Sequence, residues 1–329
     1  MFRAGVLGSP ISHSLSPLLH NFAYESLGAD GKYVAIEVKS GELHSFLERE
    51  FNSGSASENW RGFSLTMPLK EELVSLVSST LPIEIKIEKS ALISGSANTL
   101  YFSGEISPLT SKPIWIAQST DTTGFHRIFI ERFPVGGIEI WGAGGTTRAI
   151  LSALSQLSFH SSSMQNSDPA LVTPSEEITF PHEIHIYNRS VEKVANLKEI
   201  FPQLNIISHR LDELNLSNVQ GGVKNVNSLI STLPAPVQRD LLSQLSPHHF
   251  ERFDLVFDVL YNPWPSFLIE KYMEVRSRLG LSFSTVSGLD LLIEQGLDQI
   301  HLFSGKDFSY QNMRAKLLAL SSEYLLNNS

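Results

Sequence analysis

The chain has 329 residues, of which 42% are hydrophobic, and its formal net charge is -9. This length predicts about two domains, each large enough to bury a core, and no stretch has the length and apolar character of a transmembrane helix. The acidic charge argues against a nucleic-acid surface, which needs clustered Lys and Arg. The chain lacks cysteine and begins without a signal-peptide core, so we expect a cytoplasmic α/β protein with no membrane or nucleic-acid partner.

Short strands alternate with helices in the first third of the chain. Ala4–Gly8 predicts a strand, and Ser16-Pro17 opens a helix, with Ser as the cap and Pro at the first helical position. Strands over Tyr33–Val38 and Gly62–Pro68 flank an amphipathic helix over Glu42–Phe51. This alternation predicts a mostly parallel sheet with helices on its faces.

The same pattern restarts near residue 124 and predicts a second, doubly wound domain of the Rossmann type. A helix over Gly124–Phe133 precedes a Gly-rich turn, and Glu183–Ser190 is the next strand with its following turn. Residues 158–182 are rich in Ser, Asn and Pro, which is typical of an exposed insertion. Further strands are predicted at 205–207, 229–232 and 255–260, and amphipathic helices at 289–303 and 312–326.

The Gly-rich turn is the first candidate binding site. Gly142, Ala143, Gly144, Gly145 and Thr146 follow the apolar strand Ile138–Trp141 and precede a helix. Glycines let the backbone approach a phosphate, and the free N–H groups of the helix N-terminus point at the anion, so this turn predicts a dinucleotide site. Thr147 stands where the usual fingerprint has Gly or Ala. A glycine-rich turn can also be an ordinary loop.

Charge at the end of the second strand bears on the choice of dinucleotide. Asn188, Arg189 and Ser190 end that strand, and Lys193 follows one turn later. An acidic residue there would bind the ribose hydroxyls of NAD, whereas Arg accommodates the 2′-phosphate of NADP. Glu192 is expected to point away from that phosphate. These residues predict NADP, the alternative being that Arg189 is only a solvated charge.

Four polar clusters precede this domain. Ser14 and Ser16 lie between a strand and a helix, where hydroxyls can either cap the helix or bind a carboxylate. Lys70 follows the strand that contains Ser64 and Thr66, at an edge where ligands bind in α/β sheets, although a lone lysine is often a solvated charge. Asn98 lies in a turn that enters a strand, and Asp121 lies between a strand and a helix that it could cap.

Two histidine pairs suggest a metal site at first sight. His182 and His185 form H-x-x-H, and His248 and His249 are adjacent. Neither pair has carboxylates or cysteines at ligand spacing, and His185 falls inside an alternating strand pattern. We therefore expect structural histidines and no metal.

Taken together and in order, the motifs resemble those of shikimate dehydrogenases. The series is S-x-S-P, S-L-T-M-P-x-K, S-A-N-T-L, T-D-x-x-G, G-A-G-G-x-x-R-A, N-R-S, Y-N-P-W-P and G-L-x-x-L-x-x-Q, and it extends from Gly5 to about Gly296. Ser64 and the pair Ser96-Ala97 resemble the form of the family seen in actinobacteria. Ser64 and Ser119 replace residues that are commonly Asn in the family.

The resemblance implies roles for individual residues. Lys70 and Asp121 would be the catalytic pair, with Lys70 as the acid–base group and Asp121 as its orienting partner. The substrate carboxylate would be held by Ser14 and Ser16, assisted by Thr66 and Tyr261, and the ring hydroxyls by Asn98 and Gln295. Besides the cofactor-binding residues of the Gly-rich turn and of 188–193, Thr232 and Gly288 would lie near the nicotinamide.

The expected protein is therefore an NADP-dependent shikimate dehydrogenase that reduces 3-dehydroshikimate to shikimate, as a monomer or homodimer. Residues 1–123, completed by 288–329, would bind the small-molecule substrate, residues 124–287 would bind NADP, and a cleft would separate the two domains. One rival is a quinate/shikimate dehydrogenase that uses NAD, against which Arg189 and Lys193 argue. Another is a non-catalytic shikimate-binding sensor, against which the presence of Lys70 and Asp121 argues.

Overall fold

The computed structural model describes residues 1–52, 59–78, 80–132, 136–164, 183–215 and 226–328. The chain divides into two compact units. The first unit comprises Met1–Gly124 and Leu292–Asn328, so it is built from both ends of the sequence. The second unit comprises Phe125–Leu291.

The first unit contains a six-stranded sheet with the strand order β2-β1-β3-β5-β6-β4. Strand β5 runs antiparallel to both of its neighbours, while the other three strand pairs are parallel. The link from β5 to β6 spans only residues 107–112, too short for the crossover that a parallel pair needs. The strands are β1 Phe2–Gly8, β2 Gly31–Glu37, β3 Trp60–Leu65, β4 Glu84–Ile87, β5 Thr99–Ile106 and β6 Pro113–Gln118.

Helices cover the faces of this sheet, as the alternating pattern predicts. They are α1 Ser16–Ser26, α2 Leu43–Asn52, α3 Lys70–Ser75, α4 Lys89–Ser94 and, up to Gly124, the start of α5 Thr120–Arg132. The C-terminal part of the unit consists of α10 Gly288–Ser304 from Leu292 onward and α11 Tyr310–Asn328. Gly62 on β3 allows close packing of α10, because a Cβ at Gly62 would lie 2.0 Å from the ring of Phe303.

The second unit contains a fully parallel sheet with the order β12-β11-β10-β7-β8-β9. This is the doubly wound arrangement that the second half of the sequence predicts. Its strands are β7 Gly137–Trp141, β8 Ile184–Asn188, β9 Ile206–Arg210, β10 Val226–Ser231, β11 Leu255–Asp258 and β12 Ser284–Ser287. Its remaining helices are α6 Gly145–Met164, α7 Val191–Ile200, α8 Ala235–Gln244 and α9 Phe267–Arg278.

Glu139, on strand β7 of the second unit, is a fully buried carboxylate. It accepts hydrogen bonds from Trp141 Nε1 at 2.7 Å and His249 Nε2 at 3.0 Å, and it is paired with Arg252. Burial alone would raise the pKa of Glu139, but the bond from His249 and the charges of His249 and Arg252 lower it overall. His249 therefore has a structural partner, as the sequence suggests.

Two helix boundaries differ from the sequence predictions. The helix expected from Gly124 begins at Thr120, so Asp121 lies in its first turn and not at the end of a strand. Helix α6 continues to Met164, so the first residues of the insertion expected at 158–182 are helical. Apolar residues of the earlier turns of α6 pack in the core and support the longer helix. Residues 165–182, with His182, lie outside the described residues.

Candidate functional site

Lys70 and Asp121 form an ion pair in the first unit, with Nζ 2.5 Å from Oδ2. Lys70 is the first residue of α3, and Asp121 lies in the first turn of α5. Their side chains are 21% and 8% exposed, so the pair is largely shielded and Lys70 is not the solvated charge considered above. A shielded Lys–Asp pair can hold and pass a proton, which is what acid–base catalysis requires.

Asn98 connects this pair to the rest of the first unit. Its Nδ2 donates to Asp121 Oδ1 at 2.9 Å and to Gln295 Oε1 at 3.2 Å, which uses both hydrogens of the amide. Its Oδ1 accepts from the backbone N–H of Thr120 at 2.7 Å. The structure therefore brings Lys70, Asp121, Asn98 and Gln295 together in one hydrogen-bonded cluster. Any ligand that bonds to the Asn98 amide must replace one of these partners.

Ser119 caps the helix that carries Asp121. Its Oγ accepts from the backbone N–H of Thr122 at 3.4 Å and from the Thr122 hydroxyl at 3.1 Å. Ser is among the preferred N-cap residues, so the replacement of the commoner Asn preserves the start of α5.

Ser64 is buried and bonded on two sides. Its Oγ accepts from the Tyr33 hydroxyl at 2.7 Å and donates to Gln299 Oε1 at 2.7 Å. Gln299 is fully buried and was not predicted from the sequence. It lies four residues after Gln295 on an amphipathic helix, where a polar residue is typical of the solvent face, so the sequence pattern could not have distinguished it.

The first serine motif lies at the start of α1. Helix α1 begins at Ser16, so its N-cap residue is Leu15, whose side chain makes no capping hydrogen bond. The expectation that Ser16 is the N-cap is therefore wrong. Instead, Ser14 Oγ accepts from the backbone N–H of Ser16 at 3.3 Å. The Ser16 side chain is buried. Thr66 is half-buried just beyond β3, with its backbone N–H bonded to Leu7 O.

The Gly-rich turn of the second unit is held by two threonines. Thr147 Oγ1 donates to Gly142 O at 3.0 Å, and Thr232 Oγ1 donates to Trp141 O at 2.9 Å. Gly142 has φ +108°, and a Cβ there would lie 2.3 Å from Thr232 Oγ1, so only glycine fits. Thr147, the departure from the usual fingerprint, thus supplies a bond that stabilises the turn.

The outer side of this turn is open. A Cβ at Gly144 would have no heavy atom within 4 Å, and α6 begins at Gly145, with Thr146 following. Ala143 is packed in the core of the unit. The turn therefore presents an accessible backbone and the N-terminus of a 20-residue helix, which together fit a pyrophosphate.

Arg189 and Lys193 are exposed after β8, as a phosphate site requires. Asn188 Nδ2 donates to Ser190 O at 2.9 Å and closes the turn between them. The Glu192 carboxylate accepts from Ser190 Oγ at 2.7 Å, and whether it points away from a bound 2′-phosphate stays a prediction. This bond is local, since Ser190 and Glu192 lie together at the start of α7.

Tyr261 follows β11 directly after residues 258–260, which are held by hydrogen bonds and close packing. Asp258 Oδ1 accepts from the backbone N–H of Leu260 at 3.1 Å, and its Oδ2 accepts from Gln238 Nε2 at 2.8 Å. Gly288 packs against the same segment, and a Cβ there would lie 2.1 Å from Val259 O. Burial raises the pKa of Asp258 to about 6 although its hydrogen bonds lower it. Asp258 was not predicted from the sequence.

The predicted site residues thus fall into the two units. The first unit contains Lys70, Asp121, Ser14, Ser16, Thr66, Asn98 and Gln295. The second contains the Gly-rich turn, residues 188–193, Thr232, Tyr261 and Gly288. Within the described residues, no group of three or more His, Asp or Glu is arranged to hold a metal. None of the helices in the described ranges is long and apolar enough to cross a membrane.

Comparison with known proteins identifies relatives of the whole chain. Residues 6–100 match the model of the shikimate dehydrogenase substrate binding domain. The chain is 27% identical to a shikimate dehydrogenase (NADP(+)) of Natronomonas pharaonis, over 95% of this chain and 97% of the relative. It is 25% identical to a shikimate dehydrogenase (NADP(+)) of Microcystis aeruginosa, over 95% of both proteins.

A solved structure agrees with these relatives. The shikimate dehydrogenase of Mycobacterium tuberculosis is 26% identical, with a TM-score of 0.68, and the match covers 97% of this chain and all of the other. The family model, the full-length relatives and the similar structure all carry the name shikimate dehydrogenase, and this chain is similar to the relatives over most of its length.

Proposed function

We propose that this protein is an NADP-dependent shikimate dehydrogenase, which interconverts 3-dehydroshikimate and shikimate. The observation that carries this proposal is the shielded Lys70–Asp121 pair, held by Asn98 in the unit that contains the family's substrate-binding sequence. Full-length relatives named shikimate dehydrogenase (NADP(+)) support the same reaction.

The acid–base step follows from the geometry of this pair. Oxidation of a secondary alcohol to a ketone removes a hydride from carbon and a proton from oxygen. Lys70 Nζ, 2.5 Å from Asp121 Oδ2, is placed to take that proton in oxidation and to return it in reduction. Asp121 orients the lysine and balances its charge, while Asn98 holds the carboxylate from the other side. Such groups typically contribute about 10²–10⁴-fold to a rate.

The remaining residues of the first unit would recognise the substrate. Ser14 and Ser16 carry hydroxyls and lie at the start of an 11-residue helix, where the helix dipole favours an anion such as a carboxylate. We propose that they bind the carboxylate with help from Thr66, and we propose the same role for Tyr261. Asn98 and Gln295 would bind ring hydroxyls by exchanging their mutual hydrogen bond for bonds to the substrate.

The second unit would bind NADP, which accepts or supplies the hydride when bound. The open face at Gly144 and the start of α6 fit the pyrophosphate, and exposed Arg189 and Lys193 fit the 2′-phosphate. Thr232 donates a hydrogen bond to the strand that leads into the Gly-rich turn. Gly288 has no side chain, so the start of α10 packs closely against the residues that precede Tyr261. The nicotinamide role of both residues rests on the resemblance, and these contacts show that each also has a structural role.

A matrix of substrates and cofactors tests this proposal directly. Purified protein is assayed with shikimate or quinate and with NADP or NAD, and reduction of the cofactor is followed by absorbance. We expect shikimate with NADP to give the highest kcat/KM. Activity only with quinate and NAD would identify the rival dehydrogenase. Binding of shikimate without turnover would identify a sensor, although the intact Lys70–Asp121 pair argues against it.

We also propose that the enzyme works in the cytoplasm as a monomer or homodimer and does not bind nucleic acid. The absence of cysteine and the net charge of -9 support this environment and this choice of partners. Sedimentation of the purified protein measures its oligomeric state.

A further inference from the structure

Gln299 is a buried polar side chain that must satisfy its hydrogen bonds inside the protein. It lies on α10, one turn before Phe303, whose ring packs on Gly62 of β3. Its amide is thereby placed beside Ser64 on one side and beside Thr99 and Thr120 on the other.

The hydroxyl of Ser64 determines which way the Gln299 amide faces. Ser64 Oγ accepts the Tyr33 hydroxyl hydrogen at 2.7 Å, so its own hydrogen is available for Gln299 Oε1, also at 2.7 Å. A hydroxyl has one hydrogen to donate. The oxygen of the amide therefore faces Ser64, and its nitrogen faces the opposite way.

The nitrogen of Gln299 in turn determines which way two threonine hydroxyls point. Nε2 donates to Thr99 Oγ1 at 2.9 Å and to Thr120 Oγ1 at 3.2 Å. Because both hydroxyls accept from Gln299, each can turn its single hydrogen to Asn98 Oδ1, which lies 3.1 Å from either oxygen. With its oxygen held there, the Asn98 amide presents its N–H groups to Asp121 and Gln295.

We propose that Gln299 is a positioning residue that, with Ser64, sets the direction of the Asn98 amide and so holds Asp121 beside Lys70. From Tyr33 through Ser64, Gln299 and the threonines to Asn98, each group can donate to the next. The backbone N–H of Thr120 also donates to Asn98 Oδ1, at 2.7 Å, so Gln299 acts together with it. This inference rests on the catalytic role of the Lys70–Asp121 pair in the proposed function.

Two variants and one control test the inference. Gln299→Met keeps the length of the side chain but removes its polar atoms, and Ser64→Ala removes only the hydroxyl that orients Gln299. The control is Ser321→Ala, because Ser321 is another buried serine of the first unit, and among the described residues its hydroxyl donates to Leu317 O of its own helix. Thermal unfolding and circular dichroism establish that each variant is folded.

The first readout separates kcat from KM for shikimate oxidation with NADP. We expect kcat to fall about 10²-fold in Gln299→Met and about tenfold in Ser64→Ala, since small displacements of a catalytic group have effects of this size. KM for shikimate should change by less than about threefold, because the affected bonds act on the acid–base pair. Ser321→Ala should match the wild type in both constants.

The second readout does not depend on activity. Hydrogen exchange of the Asn98 side-chain amide, followed by NMR in the full-length protein, should be about tenfold faster in both variants than in the wild type and the control. Unchanged kcat and unchanged Asn98 exchange in Ser64→Ala would overturn the inference, even if Gln299→Met failed to fold. A wild type that does not oxidise shikimate would instead reject the proposed function, and Asn98 exchange would still decide the role of Gln299.

Discussion

Replacing Asp258 by Asn should change how the stability of the second unit depends on pH. Burial raises the pKa of Asp258 from 3.8 to about 6, so the folded state binds a proton more tightly than the unfolded chain. The protonated form is therefore favoured by folding, and the stability that it contributes is present below about pH 4 and is lost as the pH rises to about 6. The difference in pKa corresponds to about 3 kcal/mol. An asparagine side chain cannot titrate in this range, so the stability of the variant does not fall with the titration of residue 258.

The comparison needs a probe that reports on the second unit alone, because a protein with two units need not unfold in one step. Hydrogen exchange of amides in β10 and β11, corrected for intrinsic rates, gives the local free energy of opening at each pH. The wild type should lose about 3 kcal/mol relative to Asp258→Asn between about pH 4 and pH 7. If the difference in local opening free energy between the wild type and Asp258→Asn stays constant over this pH range, the reasoning is refuted. A direct check is the titration of the Asp258 carboxyl by NMR, with a midpoint near 6.

Three further predictions concern catalysis, the cofactor and packing. Lys70→Ala should lower kcat about 10²–10⁴-fold with little change in shikimate binding measured by calorimetry. The control Lys86→Ala, at an exposed lysine, should keep the wild-type kcat. A Lys70→Ala kcat equal to that of the wild type would exclude the acid–base role. Arg189→Ala should raise KM for NADP about 10–100-fold and leave KM for NAD nearly unchanged, and a parallel loss with both cofactors would contradict a 2′-phosphate contact. Gly288→Ala should lower the free energy of unfolding in urea by about 1–3 kcal/mol, because its Cβ would lie 2.1 Å from Val259 O. An unchanged free energy of unfolding would show that the segment can shift without loss of stability.

The sequence was sufficient for the features that depend on local pattern. Alternating strands and helices predicted the layered architecture, and the Gly-rich turn between an apolar strand and a helix predicted the β7–α6 connection. The chemistry of single positions was also readable, since Lys70 and Asp121 lie next to each other as their motifs imply.

What the sequence could not predict depends on contacts between distant residues. Gln299 bonds to Thr99 across 200 positions of the chain, and nothing in the local pattern of α10 marks it. Asp258 is an ordinary aspartate after a strand until Gln238 and the backbone of Leu260 enclose it. The turn of Glu192 onto Ser190 depends on a side-chain rotamer, which strand and helix periodicity does not specify.

The first unit is assembled from segments that the ribosome makes at very different times. Asn98 and Asp121 emerge early, but Gln295, which shares the Asn98 amide, follows 197 residues after Asn98. The second unit is one continuous segment and can fold during synthesis, since domains generally fold as units. The acid–base pair must therefore wait for the last part of the chain before its support is complete. A ribosome-bound chain that stops before Leu292 should hold a folded second unit and an unfinished first one.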